Sequence, residues 1–531
     1  MNASAIRSAA SLVNARALYI MLGLYCFVAL VYVFLGNNNR DEGWYLYASR
    51  LVYEGKVPYR DFPYFQMPLL PYIYGLPQLL FGPSILVGRL TSFAFSLITV
   101  GTGVYLAQRI AGRGAALLFL AFTIVNPNVM WTYTTTRTEP LVTPLVMLSL
   151  LFLLKQRRST IDLVLAPSLM LWAATVRFTV MPAFAAVLIF SLYQARKNGR
   201  QWDSILALVG FQVLVLIVVP LALTGEKMVF NVWSSQEFRT DQWVNWGLPL
   251  GVLLRNKALF IPPLMATFPL AIVLTVSMTA FLISMWRGGW RPALAGLGEW
   301  PTAHLAMLCL AALVFLPHLA LASLQTFYFV PAFPILALMA AAAVHRLGSV
   351  LSPNPERVIL PSLVGALLLI EALAFASYFP SVLNTVDPDI RELHDVGSYL
   401  KSAVPPDKRV VTFDTSVVVE ANRRVPHGLE MDVFSFWPGL KTSDARHYGV
   451  VNGEILQELV ADENTGAIVV GDYDQQTLSL VAPRAEEAVS HEQEPAVFRL
   501  LPAMRGKYDL VKEYRSFGQF RGKIQIYLRT E

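Results

Sequence analysis

A multi-span α-helical membrane protein with a C-terminal soluble α/β domain is the fold class this chain predicts. Three observations predict it. Of 531 residues, 55% are hydrophobic and only 15% charged, against about 25% charged in a typical soluble domain. The charge deficit lies before residue 380, where long apolar runs alternate with short basic loops. From 381 onward the composition is that of an ordinary soluble chain. The expected units are therefore 1–380, membrane-embedded and including an outer loop at 37–83, and 381–531, extracytoplasmic.

A bilayer core of roughly 30 Å needs about 20 apolar residues per helix, and about eleven runs come near that length. The first is 17–36, flanked by Arg7 and Arg16. It is too long for a signal-peptide core and no small-residue cleavage site follows, so it reads as an uncleaved anchor. Further spans are expected at 84–106, 114–131, 138–154, 161–177, 178–194, 204–224, 260–284, 301–320, 327–345 and 357–379. With the N-terminus cytoplasmic, the inner loops carry Arg109 and Arg113; Lys155, Arg157 and Arg158; Arg196, Lys197 and Arg200; Arg287 and Arg291; Arg346 and Arg357. Each is short and basic, as inner loops are. An odd number of spans then puts the loops 37–83 and 225–259, and the C-terminal domain, outside a cytoplasmic (inner) membrane.

The net charge of +6 belongs to these loop ends and not to a clustered basic face, so no nucleic-acid partner is expected. Cys26 and Cys309, the two cysteines, each lie in an apolar run, which excludes a disulfide framework and a CxxC site. No Rossmann glycine loop is evident in the membrane half. His304 and His318 have no third partner at metal-ligand spacing.

The C-terminal part alternates helical and strand patterns. Residues 390–402 and 453–461 read as helices, 409–413 and 467–470 as strands, and 509–529 as a hairpin. The stretch from Pro426 to Pro438 is rich in aromatic and acidic residues, but reads as a plain turn region.

The chemistry concentrates after the first span. Asn39-Arg40-Asp41-Glu42-Gly43-Trp44 places adjacent carboxylates at a membrane surface. The segment 42–53 has apolar residues at helical spacing and suits an amphipathic interfacial helix. Gly55-Lys56-Val57-Pro58-Tyr59-Arg60-Asp61-Phe62 and Pro68-Leu69-Leu70-Pro71-Tyr72 follow. Asp41 also suits a helix N-cap, and Arg137 an interfacial position. Arg177, in a very apolar hairpin, is the more telling charge, because such a position is costly.

This loop resembles that of the GT-C superfamily of membrane glycosyltransferases, and most closely the branch of protein O-mannosyltransferases and lipid A aminoarabinose transferases. Three further places support the resemblance: Arg137-Thr138-Glu139-Pro140, Thr175-Val176-Arg177-Phe178, and Tyr328 in Tyr-x-x-Pro-x-x-Pro. One position departs: the lipid A branch has Lys before its double proline, where Met67 stands here. The resemblance implies a polyprenyl-phosphate-linked sugar donor and a lipid, glycan or protein acceptor, reacting beside membrane lipid. It implies Asp41 as catalytic base, with inversion at C1, Glu42 orienting the acceptor or supporting a metal, and Glu139 as a second acid. Arg60, Arg137 and Arg177 are the implied phosphate contacts, with Tyr328 as a hydrogen-bond donor. Cofactor use stays open, since some members use a divalent metal. The competing readings are a transporter or flippase of lipid-linked sugars, or a non-catalytic envelope-assembly subunit.

Overall fold

The computed structural model describes residues 3–235, 301–320, 326–350, 389–479, 496–518 and 521–530. The spans expected at 260–284 and 357–379, and Glu237, Phe238, Arg239, Asp241, Trp243 and Trp246 of the loop expected at 225–259, lie outside the described residues.

Helix α1 (Ala3–Leu35) contains the first expected span. Its apolar part, Arg16–Leu35, is only 22% buried, so most of its surface is available to lipid. Four helices among the described residues are long and apolar enough to cross a membrane: Arg16–Leu35, Ile85–Ala111, Phe178–Lys197 and Trp202–Thr224. The second of these is α4 (Ile85–Ala111).

The span expected as one piece at 114–131 is instead two helices, α5 (Arg113–Ile124) and α6 (Pro127–Thr134), bent by 79°. The Asn126-Pro127 pair causes the break. Asn126 caps α6 by accepting from Val129 N at 3.1 Å, and a proline at the first helical position has no N–H to lose. A second difference is α3 (Leu69–Phe81), a helix within the stretch expected as loop. Pro71 and Pro77 hide it from a helix pattern, although Pro71 falls in the first turn, where proline is tolerated.

Helices α7 (Thr138–Leu153) and α8 (Thr160–Val176) form a hairpin. Near its turn Ser149 donates to the Ala166 carbonyl at 2.8 Å. At the open end Arg177 donates to Thr138 Oγ1 at 2.9 Å. The start of α7 and the end of α8 therefore meet, which brings two separate sequence motifs together.

Among the described residues, the C-terminal α/β unit has a four-stranded sheet of order β1-β2-β4-β3. The strands are β1 (Arg409–Thr412), β2 (Thr465–Gly471), β3 (Tyr508–Phe517) and β4 (Gly522–Arg529). β1 runs parallel to β2, with Val410 opposite Ala467, and the other pairings are antiparallel. The strands, the hairpin and the helices Asp389–Ala403 and Gly453–Ala461 lie where the sequence pattern puts them.

Helix α2 (Asp41–Tyr53) lies between this unit and the bundle. Residues 42–49 are buried, so α2 is not the half-exposed interfacial helix expected from its pattern. Val425 N donates to Tyr47 Oη at 3.1 Å, and Arg50 donates to the Arg423 carbonyl at 3.0 Å. Nearby, Glu420 accepts from Ser84 Oγ at 2.9 Å and Ile85 N at 2.6 Å, placing a carboxylate at the start of α4, where the helix dipole favours it.

Candidate active site

Asp41 opens α2, with Arg40 before it as the N-cap residue. Its side chain is 23% exposed, and its Oδ2 lies 3.0 Å from Arg137 Nη2. Trp44 Nε1 donates to Oδ1 at 3.2 Å, one turn along the helix.

Arg137 stands just before α7 in extended backbone. Its side chain is 4% exposed and reaches Glu139 Oε2 from Nε at 3.4 Å. Its Cζ lies 3.5 Å from the Phe327 ring centroid, a cation–π geometry. Among the described residues its buried Nη1 has no hydrogen-bond partner.

Glu139, 1% exposed, is in the first turn of α7 and also pairs with Arg177 Nη1. Arg177 caps the end of α8. An acid at a helix start and a cation at a helix end both suit the helix dipole. The Tyr328 ring lies under Arg177, with Cζ 4.4 Å from the centroid. His318 stacks on the Tyr328 ring at 5.1 Å and hydrogen-bonds Thr179 Oγ1 at 2.9 Å.

The structure thus brings Asp41, Arg137, Glu139, Arg177 and Tyr328 into one connected group. It does not bring Glu42 or Arg60 to it. Glu42 is 1% exposed and faces Arg89, which is fully buried in α4. Arg89 Nη2 and Nε bond its carboxylate at 2.7 and 3.0 Å. Asn39 N and Thr136 N also donate to Glu42, at 3.1 and 3.0 Å. Its oxygens are therefore occupied by partners within the chain. Adjacent helix residues point about 100° apart, because 3.6 residues complete a turn, so Asp41 and Glu42 cannot share one face. Arg60 is 57% exposed and bonds its neighbour Asp61 at 2.7 Å. It stands apart from the group.

Arg89 is the residue that sequence reasoning missed. Besides Glu42 it holds the carbonyls of Val33, Gly36 and Asn37 at 3.2, 2.9 and 3.1 Å, and Asn38 Oδ1 at 2.8 Å. It thereby satisfies the end of α1 and the start of the loop. The available signal was a single arginine inside an apolar run, which is costly unless paired.

Among the described residues no three His, Cys, Asp or Glu side chains come together as a metal set. Asp41 and Glu139 are each paired with a guanidinium.

In the segment that follows Trp202–Thr224, Phe230 stacks on Tyr448 at 3.9 Å and lies 5.4 Å from Trp437. Phe65 packs on the same Trp437 at 5.9 Å. The stretch 426–438, expected to be a plain turn, thus contacts both the loop after α1 and the segment around Phe230.

No family model matches the chain. In three dimensions it is similar to ArnT from Cupriavidus metallidurans in the apo state, with a TM-score of 0.56 and 14% identity, covering 97% of this chain and 98% of that one. It is also similar to ArnT bound to undecaprenyl phosphate, with a TM-score of 0.54, 13% identity and coverage of 96% and 97%. In sequence it is 29% identical to GPI mannosyltransferase 1 of Saccharomyces cerevisiae over 221 residues, 40% of this chain. The chain spans about half the length of that curated relative, 52%. The fold is the GT-C fold, in agreement with the resemblance carried by the loop after α1.

Proposed function

We propose that the chain is a membrane glycosyltransferase that moves a sugar from a polyprenyl-phosphate donor to an acceptor hydroxyl. The reaction takes place on the outer face of the cytoplasmic membrane, where the unit 381–531 also stands. The acceptor is a lipid, glycan or protein.

One observation carries the reading. Asp41, partly exposed, sits 3.0 Å from Arg137, whose Nη1 is buried without a hydrogen-bond partner among the described residues. A base and an under-bonded cation then stand side by side. Leaving a buried guanidinium N–H unpaired is costly, and an anionic ligand oxygen would satisfy it.

In the proposed step Asp41 takes the proton of the acceptor hydroxyl. The acceptor oxygen bonds C1 of the sugar as the C1–O bond to phosphate breaks. The bonding pair leaves on the phosphate, and the configuration at C1 inverts. Arg137 and Arg177 stabilise the charge on the departing phosphate. Glu139 holds both guanidinium groups in place from between them, and the Tyr328 ring supports Arg177 from below. The likeness to ArnT with bound undecaprenyl phosphate and to GPI mannosyltransferase 1 supports a polyprenyl-phosphate mannose as the first donor to try.

The test uses the full chain in proteoliposomes with polyprenyl-phosphate [14C]mannose and membrane extract as acceptor. Wild type should transfer label and release polyprenyl phosphate, while Arg137→Ala should lower transfer about 10²–10³-fold, the usual loss on removing one charge-stabilising donor. Equal transfer by both proteins, or transport of the intact donor without release of polyprenyl phosphate, would overturn the proposal.

A further inference from the structure

Residues on both sides of Asp41 are held by the C-terminal α/β unit. Asn38 N donates to Asp389 Oδ2 at 2.9 Å, and its side chain to the Asp389 carbonyl at 3.2 Å. Arg40 Nη2 lies 2.9 Å from Asp432 Oδ1 and 2.8 Å from Asp474 Oδ1, and also donates to the Phe413 carbonyl. At Gly43 a Cβ would overlap Ser416 N and Thr415 Oγ1. The first turn of α2 therefore lies directly against the backbone of the helix Thr415–Ala421. Glu42, between these contacts, is held from the bundle by Arg89, and Asp41 by Arg137.

The charges at this contact are not what a plain packing surface would use. Asp432 and Asp474 are 1% and 3% exposed, and Asp414 is buried in the same electrostatic set. Three carboxylates face one guanidinium. Burial pushes the Asp432 carboxyl well above its usual range, and Arg40 only partly opposes this. Buried ion pairs of this kind often contribute less to stability than apolar packing of equal volume would. What they do provide is direction: Arg40 can meet both acids and the Phe413 carbonyl in few orientations of α2.

We infer that the C-terminal α/β unit positions the reacting carboxylate: Arg40, clamped by Asp432 and Asp474, sets the first turn of α2 so that Asp41 meets Arg137. This rests on the reading of Asp41 as the base. Arg40 is a positioning residue in this account and touches neither donor nor acceptor. The unit that carries the clamp belongs to a different stretch of the chain from the loop that reacts, so its docking and the activity are coupled.

The test compares Arg40→Ala, Arg40→Lys, Asp432→Asn and Asp474→Asn in the full chain. Transfer from polyprenyl-phosphate mannose is followed as kcat and KM separately, and binding of undecaprenyl phosphate is measured on the same preparations. Displacing a reacting group by about 1 Å costs about 100-fold, so Arg40→Ala should lower kcat about 10- to 100-fold. Its donor KM and undecaprenyl phosphate binding should change less than about twofold, on the same principle that the phosphate contacts are untouched. Arg40→Lys, which keeps the cation, should recover part of the kcat. The two Asp→Asn changes are isosteric, so they remain informative if Arg40→Ala does not fold. Asp41→Asn separates the two levels. If Asp41→Asn keeps wild-type kcat, the enzymatic reading fails and the clamp with it. If Asp41→Asn is inactive while all the clamp variants keep wild-type kcat per folded molecule, the clamp alone is overturned.

Discussion

Asp41 and Glu42 are chain neighbours with opposite surroundings, and substitutions at the two should fail differently. Glu42 lies at 1% exposure against a fully buried Arg89. Removing one partner of such a pair leaves a buried charge uncompensated, at a cost of about 3–5 kcal/mol. Glu42→Ala should therefore reduce folded yield and the melting temperature sharply. Asp41→Asn keeps the shape of the side chain at a partly exposed position, and should melt within a few degrees of wild type. Asp432 carries a pH prediction. Burial holds its carboxyl well above the usual range, whereas in the unfolded chain it titrates near about 3.9. Between those values the folded chain binds more protons than the unfolded one, so stability falls as pH rises through that window. Melting curves from about pH 4 upward should show that slope, and Asp432→Asn should flatten it; equal slopes would contradict the assignment. At this scale the cluster was partly readable in the sequence. The loop motif names Asp41, and the cost of a charge in an apolar run singles out Arg177. The same cost rule applies to Arg89, whose role was hidden because its partner is 47 positions away. Arg40 looked like one more loop cation, since nothing local marks a residue whose partners lie 392 and 434 positions further on.

Elements carry the site by where they begin and end. α7 opens on Arg137 and α8 closes on Arg177, and a hairpin with a short turn sets those two ends side by side. The bend between α5 and α6 does similar work for the segment that leads into Arg137. Asn126→Ala should remove the cap of α6 and cost about 0.5–2 kcal/mol, read as a lower melting temperature; an unchanged melting temperature would show that Pro127 alone holds the bend. Periodicity and apolar length gave the helices of the membrane half well where they are straight. They failed at α3, where prolines interrupt the pattern, and at α5 and α6, where an apolar run continues through a capping residue. The C-terminal elements were readable because each shows its own period, 2 for the hairpin and 3.6 for the helices. The burial of α2 was not, because amphipathicity tells that one face is apolar and not what covers the other.

For the whole molecule, the membrane half supplies the cations and the C-terminal unit holds the loop that bears the carboxylate. The proposed orientation has a direct consequence. Lys56 in the outer loop and Lys197 at the end of Phe178–Lys197 are both exposed. With Cys26 and Cys309, the two native cysteines, replaced by Ser, a cysteine at position 56 should react with a membrane-impermeant maleimide in intact spheroplasts. A cysteine at 197 should react only after permeabilisation, and the reverse pattern would invert the topology. The proposed orientation rests on short basic loops, which the sequence displays, while the docking of the two halves depends on contacts between distant stretches. The most direct test of the central claim is a single-turnover measurement with saturating polyprenyl-phosphate [14C]mannose, comparing wild type with Asp41→Asn and measuring undecaprenyl phosphate binding alongside. The account predicts transfer slowed by about 10²–10⁴-fold, the usual contribution of a general base, with binding retained; transfer within a few-fold of wild type would contradict it.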